Sequence, residues 1–283
     1  MLSSERAFTV GMVRLLRRIG PVRRRRRVPR QRQPDLIRLE YYKALLPFVH
    51  AITGAFGGVR AEVLALYVAD RRAHGIMDAS RGDDMKRLIT KAERMAEDDF
   101  TLRRLEETAR RFGQRVSGFQ REQLDIQVRA ALSVPLRMVE VSTVAKLEGF
   151  AAENASLIRG LSQRYFDRIR EDVLEAFENG THPNDLAELF EERDGMAERD
   201  ARRIARDQIG KLNASFNQER QEQLGVTGYI WRTMNDNRVR DEHRDRDGRH
   251  YSWSNAPHDG HPGQAIQCRC YAEPDLTPIL DEL

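Results

Sequence analysis

Both cysteines of this chain and four of its seven histidines fall between His243 and Cys270, and the two cysteines are separated by a single arginine. That stretch holds few large apolar side chains, so something other than a hydrophobic core of its own has to hold it together. Two cysteines this close cannot readily bridge each other, because a disulfide needs converging Cβ atoms at a specific separation. Thiolates with imidazoles are instead the ligand set of a tetrahedral zinc site, and His243, His261, Cys268 and Cys270 are the most economical four, with His250 and His258 as competitors. A closed site of this kind would hold one structural zinc ion, the only cofactor expected. The spacing matches none of the stock zinc-finger patterns. The other reading is two reduced cysteines in an intracellular protein, one of them buried as a small hydrophobe.

Around these residues the hydrophobic period changes. Gly228 to Thr233 is aromatic and β-branched, so it is expected to form a strand, with Ile266 to Ala272 as a candidate partner. Asp247-Gly248 and Pro262-Gly263 carry turn chemistry. Asp236 with Arg238 or Arg240 is expected to form a charge-assisted pair that fixes the loop. A small α+β domain follows, its mini-sheet stitched by Trp231, the Asp-x-Arg element and Cys-x-Cys. His243 with Asp236, Asp241, Glu242, Asp245 and Asp247 is also the material of a metal-assisted hydrolase. Without a phosphate-cradling glycine loop or a paired-carboxylate spacing, no catalytic residue is assigned and the chain is not expected to be an enzyme.

Upstream the chain is helical in pattern. A charged fraction of 33% with 7% aromatics favours long helices with solvated faces. Leu36 to Ala55 is apolar and is expected to be broken by Pro47 and by Gly54, Gly57 and Gly58, with a further turn at Arg81-Gly82-Asp83. Leu102, Leu105, Ala109, Phe112, Val116 and Phe119 alternate spacings of three and four, the seam of a long helix packing along another. Pro135 interrupts the next stretch. A helix over Ser156 to Glu178 stops at Asn179-Gly180, another starts near Pro183, and Ala201 to Glu222 forms the last. The fold class is mainly α: a helical bundle body over 35–153, then a domain over 154–275 ending in a compact 228–275 mini-sheet knot, then a tail over 276–283. No run of 18 apolar residues occurs, so no membrane span is expected.

The net charge of +4 conceals an asymmetry: residues 1–34 hold eleven arginines against Glu5, a balance of +10 that leaves −6 for the rest. Arg17, Arg18, Arg23, Arg24, Arg25, Arg26, Arg27, Arg30 and Arg32, bounded by Pro21, Pro29 and Pro34, cannot bury their charge and are expected to form an extended arm that orders on a polyanion. Double-stranded DNA, bound through phosphate without sequence preference, is the expected partner. A solvated tail, or an acidic protein surface as partner, is the alternative. Met1 to Gly20 taken alone has the Arg-rich, acid-poor pattern of a mitochondrial presequence; a short amphipathic helix that docks on a partner or a membrane surface is the better alternative.

The ordered elements of the C-terminal region, Tyr229 to Thr233, Asp236 to His243, Asp247-Gly248, Tyr251 to Trp253, Pro262-Gly263, Cys268 to Cys270 and Pro274, resemble the signature of the phage Mu protein F-like minor head proteins, the head morphogenesis family of tailed bacteriophages. The resemblance reaches upstream through the helix ending at Leu224-Gly225. Family members that place Cys at the position of His243 imply a ligand role there. Where many relatives have Ile-Ala-Arg-Thr-Glu, this chain has Ile204-Ala205-Arg206-Asp207-Gln208, which removes any catalytic part for that glutamate. The resemblance implies a minor capsid protein of the virion at the head interior or portal vertex, present in host cytoplasm during assembly. Its implied partners are the portal protein, the major capsid or scaffold protein, and packaged DNA. A metal-dependent nuclease or a free DNA-binding regulator is the alternative.

Overall fold

A computed structural model of the chain describes residues 28–73, 79–97, 99–132 and 143–277. Arg17, Arg18, Arg23 to Arg27, Pro135 and the side chain of Leu102 lie outside the described residues. The described elements are α1 (Asp35–Ala73), α2 (Ala79–Ala96), α3 (Asp99–Leu132), α4 (Val144–Asn179), α5 (Pro183–Gln223), β1 (Gly228–Arg232), α6 (Asp241–Arg246), β2 (His250–Ser252) and β3 (Tyr271–Pro274). The chain is thus mainly α with a small antiparallel sheet of order β2-β1-β3 near its C-terminus, as expected.

The helices are longer than the sequence punctuation suggests. Pro47, Gly54, Gly57 and Gly58 lie inside α1, Arg81-Gly82-Asp83 inside α2 and Gly195 inside α5. A proline in a helix interior costs about 3 kcal/mol, but Tyr41, Leu45, Phe48, Val49 and Ile52 bury on both sides of Pro47, and tertiary burial of this kind outweighs propensity. Among the described residues only α1 is long and apolar enough, by length and composition, to cross a membrane. Its residues Tyr41, Leu45, Val49, Phe56, Val63 and Tyr67 are fully buried in protein, so one face of the helix packs inside the fold, while 22% of its most apolar window is buried.

The chain divides into two compact units, each drawn from separated stretches. The first takes its described residues from Met1–Arg38, Phe112–Val144 and Arg206–Leu283, and the second from Leu39–Arg111 and Ala145–Ala205. The boundary expected between 153 and 154 falls inside α4, and residues 29–34 of the expected arm belong to the first unit. In the second unit Phe56 meets Phe190 edge-on at 4.9 Å between ring centroids. The Tyr165 hydroxyl donates to Asp194 at 2.6 Å, the same carboxylate that Arg60 engages. The Tyr67 hydroxyl lies 2.9 Å from the Ala176 carbonyl and 2.7 Å from that of Thr181, which fixes the chain where α4 ends.

In the first unit α3 turns polar on its buried side. Gln120 and Gln127 are almost wholly buried, and Gln123 nearly so. Gln123 accepts the Arg32 N–H at 2.9 Å and Gln127 donates to the Pro29 carbonyl at 3.1 Å, so these amides strap residues 29–32 down. Arg30 and Arg32 themselves remain exposed. Gln120 donates to Asn217 at 2.8 Å; Asn217 and Gln221 of α5 both donate to the Ala272 carbonyl, at 2.8 and 2.9 Å. This amide network ties β3 to α5, although Gln127 Oε1 and Gln221 Oε1 have no hydrogen-bond partner among the described residues. α5 ends at Gly225, whose φ of +74° only glycine adopts freely. There the Val226 N–H returns to the Gln221 carbonyl and the Gly225 N–H to that of Glu222, both at 2.9 Å, a Schellman motif that redirects the chain into β1.

Candidate metal centre

Period-two alternation puts Tyr229 and Trp231 of β1 on one face, and both are essentially inaccessible to solvent. They pack with Trp253, Cys268, Cys270 and Ala272 as one cluster. Trp231 stands opposite Ala272 in the β1–β3 register, where a small partner leaves room for the indole. On the other face Arg232 holds Glu273 through two 2.8 Å bonds. The β3 partner lies at Tyr271–Pro274 rather than within Ile266 to Ala272 alone, and Ile266 is exposed. The reason is local: Gln267 has a φ of +59°, and the chain from Ala265 to Cys268 is a turn, incompatible with a ladder.

The short helix α6 carries His243 and Arg246 three residues apart, so both face inward, 2% and 8% exposed. His243 Nδ1 lies 3.5 Å from the Cys268 sulphur and 3.5 Å from the Cys270 sulphur. All three atoms lie within 4.8 Å of one another. Zn–S and Zn–N bonds of about 2.3 and 2.05 Å at a tetrahedral angle place nitrogen and sulphur roughly 3.6 Å apart. The two observed nitrogen–sulphur separations are therefore those of a tetrahedral ion's ligands. The opposite ring nitrogen, Nε2, is 2.7 Å from Asp259, which also accepts from Arg246 at 2.5 Å. That carboxylate fixes Nδ1 as the free ligand atom, the outer-shell arrangement of metal-bound histidines. Burial would raise the Asp259 carboxyl, but the hydrogen bonds from His243 and Arg246 outweigh it and hold it below the ordinary range.

The two thiols behave as a pair. The hydrogen bond from Cys270 lowers the Cys268 thiol to about 5, helped by the Cys270 and Gly263 backbone N–H groups. Cys270 is correspondingly pushed up by the Cys268 hydrogen bond and by burial. The direction that matters is that of the pair: one proton leaves readily, and the second leaves only when a cation offsets two adjacent negative sulphurs.

His261 does not join this group. Its Nδ1 is paired with the Tyr229 hydroxyl at 2.8 Å, and its ring meets Trp253 at 4.9 Å between centroids. Burial lowers its proton affinity. His250 pairs with Asp275 at 3.1 Å, and His258 lies 3.5 Å from Glu242. Asp236 pairs with neither expected arginine: two 2.6 Å bonds join it to Arg269 of Cys-Arg-Cys, which holds its carboxyl at about 2. It does accept the backbone N–H of Arg238, while the Arg240 guanidinium donates to the Ile266 carbonyl at 2.7 Å. Asp247 accepts the Thr233 N–H at 2.7 Å, and the Gly248 N–H returns to the Trp231 carbonyl at 2.8 Å, so this turn closes back on β1. Pro262-Gly263 packs on α5, where a Cβ at Gly263 would meet that of Ala214 at 2.6 Å. Asp259, Arg246 and the Asn217–Gln221 amides were not singled out from the sequence. The i, i+3 spacing of His243 and Arg246 was their one visible trace.

A family model described as Phage Mu protein F like protein matches residues 167–273, which takes in the whole cluster. Over this segment, less than half of the chain, the sequence is similar to the phage Mu protein F like family. The F-like segment runs from within α4 through β1 and α6 into β3. An uncharacterised protein of Haemophilus influenzae is 36% identical over 137 residues, which are 48% of this chain and 30% of the relative, so the match spans less than a third of the relative's length. No solved structure matches the chain.

Proposed function

We propose that this F-like chain is a minor head protein of a tailed phage, sited at the portal vertex, where it assists procapsid assembly and touches packaged DNA. The observation that carries the reading is the family match over residues 167–273, which takes in His243, Cys268 and Cys270. In this reading the role is structural, with the portal and the capsid or scaffold protein as protein partners. Arg17, Arg18, Arg23 to Arg27, Arg30 and Arg32 supply a sequence-independent attraction to DNA phosphate. We further propose that one zinc ion on His243 Nδ1, Cys268 and Cys270 cross-links α6 to the Cys-Arg-Cys loop; in support, the ligand separations suit zinc and the thiol pair favours ionisation beside a cation. Co-sedimentation of the chain with purified heads, at a fixed low ratio to portal, is the test. A chain found only in the soluble fraction of a productive infection would refute the structural role.

A further inference from the structure

All three proposed ligands line one cleft of about 140 Å³, and its remaining wall is strongly basic. Arg206 of α5, Arg238 and Arg240 of the loop before α6, and Arg269 of Cys-Arg-Cys all face it. Arg269 is committed to Asp236 by its two 2.6 Å bonds. The other three form no ion pair among the described residues. Arg206 and Arg240 are held by neutral acceptors, the Gln267 side chain and the Ile266 carbonyl, which orient a guanidinium without cancelling its charge. The cleft therefore carries three positive charges outside any close ion pair, Arg238 being near enough to act on the Asp236 carboxylate, in a space worth roughly four or five waters.

We propose that this cleft is a phosphate-group site, in which a phosphate oxygen takes the fourth position on the metal and the guanidiniums of Arg206, Arg238 and Arg240 take the remaining oxygens. The inference rests on the zinc reading given above. The sequence pattern suggests His261 as the closing ligand, but it is turned away to Tyr229, which leaves three protein ligands whose common open side is this cleft. A divalent zinc with two thiolates and a neutral imidazole is electrically neutral, so its fourth ligand is free to be an anion. Three guanidiniums around a volume of this size suit a tetrahedral oxyanion, which offers an oxygen to each of them and one to the metal, better than a carboxylate with two. A volume of about 140 Å³ is large enough for one phosphate group. The group is either free phosphate or one phosphate of a nucleic-acid strand.

Cobalt(II) substituted into the full chain under reducing conditions reports its own coordination through its visible spectrum. Inorganic phosphate is expected to shift that spectrum saturably. In Arg238→Ala/Arg240→Ala the cobalt spectrum should persist while the phosphate concentration needed rises at least about tenfold. A short oligonucleotide without a terminal phosphate supplies the second arm: a shift with it assigns the source as a nucleic-acid backbone, and a shift with inorganic phosphate alone assigns it as the free ion. Cobalt bound with a spectrum indifferent to both overturns the inference while leaving the metal reading standing, and so does a phosphate response unchanged in the double variant. Failure of reduced protein to take up cobalt overturns the metal reading itself.

Discussion

Gly263 brings the Pro-Gly turn hard against α5, and Gly263→Ala measures what that approach is worth. Its φ is +89°, and an added Cβ would stand 2.6 Å from the Cβ of Ala214 and 3.5 Å from the Cys270 carbonyl oxygen. Left-handed backbone in a residue with a Cβ costs roughly 1–2 kcal/mol, and forcing a methyl into packed structure costs typically 1–3 kcal/mol. The expected loss is about 2–5 kcal/mol, read as a lower urea midpoint with an unchanged slope. The two parts separate in a double-mutant cycle. Ala214→Gly, itself costing about 1 kcal/mol in a helix, removes the steric partner and leaves the backbone strain, so the pair should couple by about 1–2 kcal/mol in the rescuing direction. Because the Gly263 N–H also supports the Cys268 sulphur, the single variant should bind zinc more weakly. A loss under about 0.5 kcal/mol, the range of a neutral surface change, or strict additivity in the cycle, would refute the close approach as the reason for glycine here.

Asp259→Asn should weaken metal binding about 10–100-fold by releasing the His243 ring, measured by competition with a chromophoric chelator. Tyr229→Phe should cost about 1–3 kcal/mol by stranding a buried ring nitrogen of His261, yet leave zinc content at one per chain; loss of metal would restore His261 as a ligand. Asp236 is held at about 2 against an ordinary 3.8, so its pairing stabilises the fold fully above the unfolded value and the contribution fades as pH falls from about 4 towards 2. Arg269→Gln should return the Asp236 carboxyl to its ordinary range in a carbon-detected NMR titration. Removing residues 1–27, which keeps the strap over Pro29 to Arg32, should weaken duplex binding for any sequence and flatten its salt dependence; an unchanged salt slope would take DNA off the list of partners.

What could be seen from the sequence were signals of composition and period: a helical body, an aromatic strand at Gly228–Arg232, and thiols clustered with imidazoles. What could not be seen depended on three dimensions. Helix breaks expected at Pro47 and at Gly54, Gly57 and Gly58 were overridden by burial that local propensity does not encode. His261 and His243 are equivalent as sequence letters; the Tyr229 hydroxyl on one and the Asp259 carboxylate on the other set them apart, and both partners lie more than ten residues away. Arg238 and Arg240 sit beside Asp236 in the chain, yet Arg269 reaches its carboxylate because the Cys-Arg-Cys turn carries it there.

The first unit is stitched from three stretches of chain, the last of them closing with β3. During synthesis, therefore, the glutamines of α3 and the strap at Pro29 emerge from the ribosome long before Asn217, Gln221 and the Ala272 carbonyl that complete their network. Loop closure over nearly the whole length must precede any reward from those contacts. A fragment cut to residues 167–273 would carry the family-matched sequence but not the α3 glutamines of this unit's polar interior, so the matched segment and the compact unit of this protein are different objects.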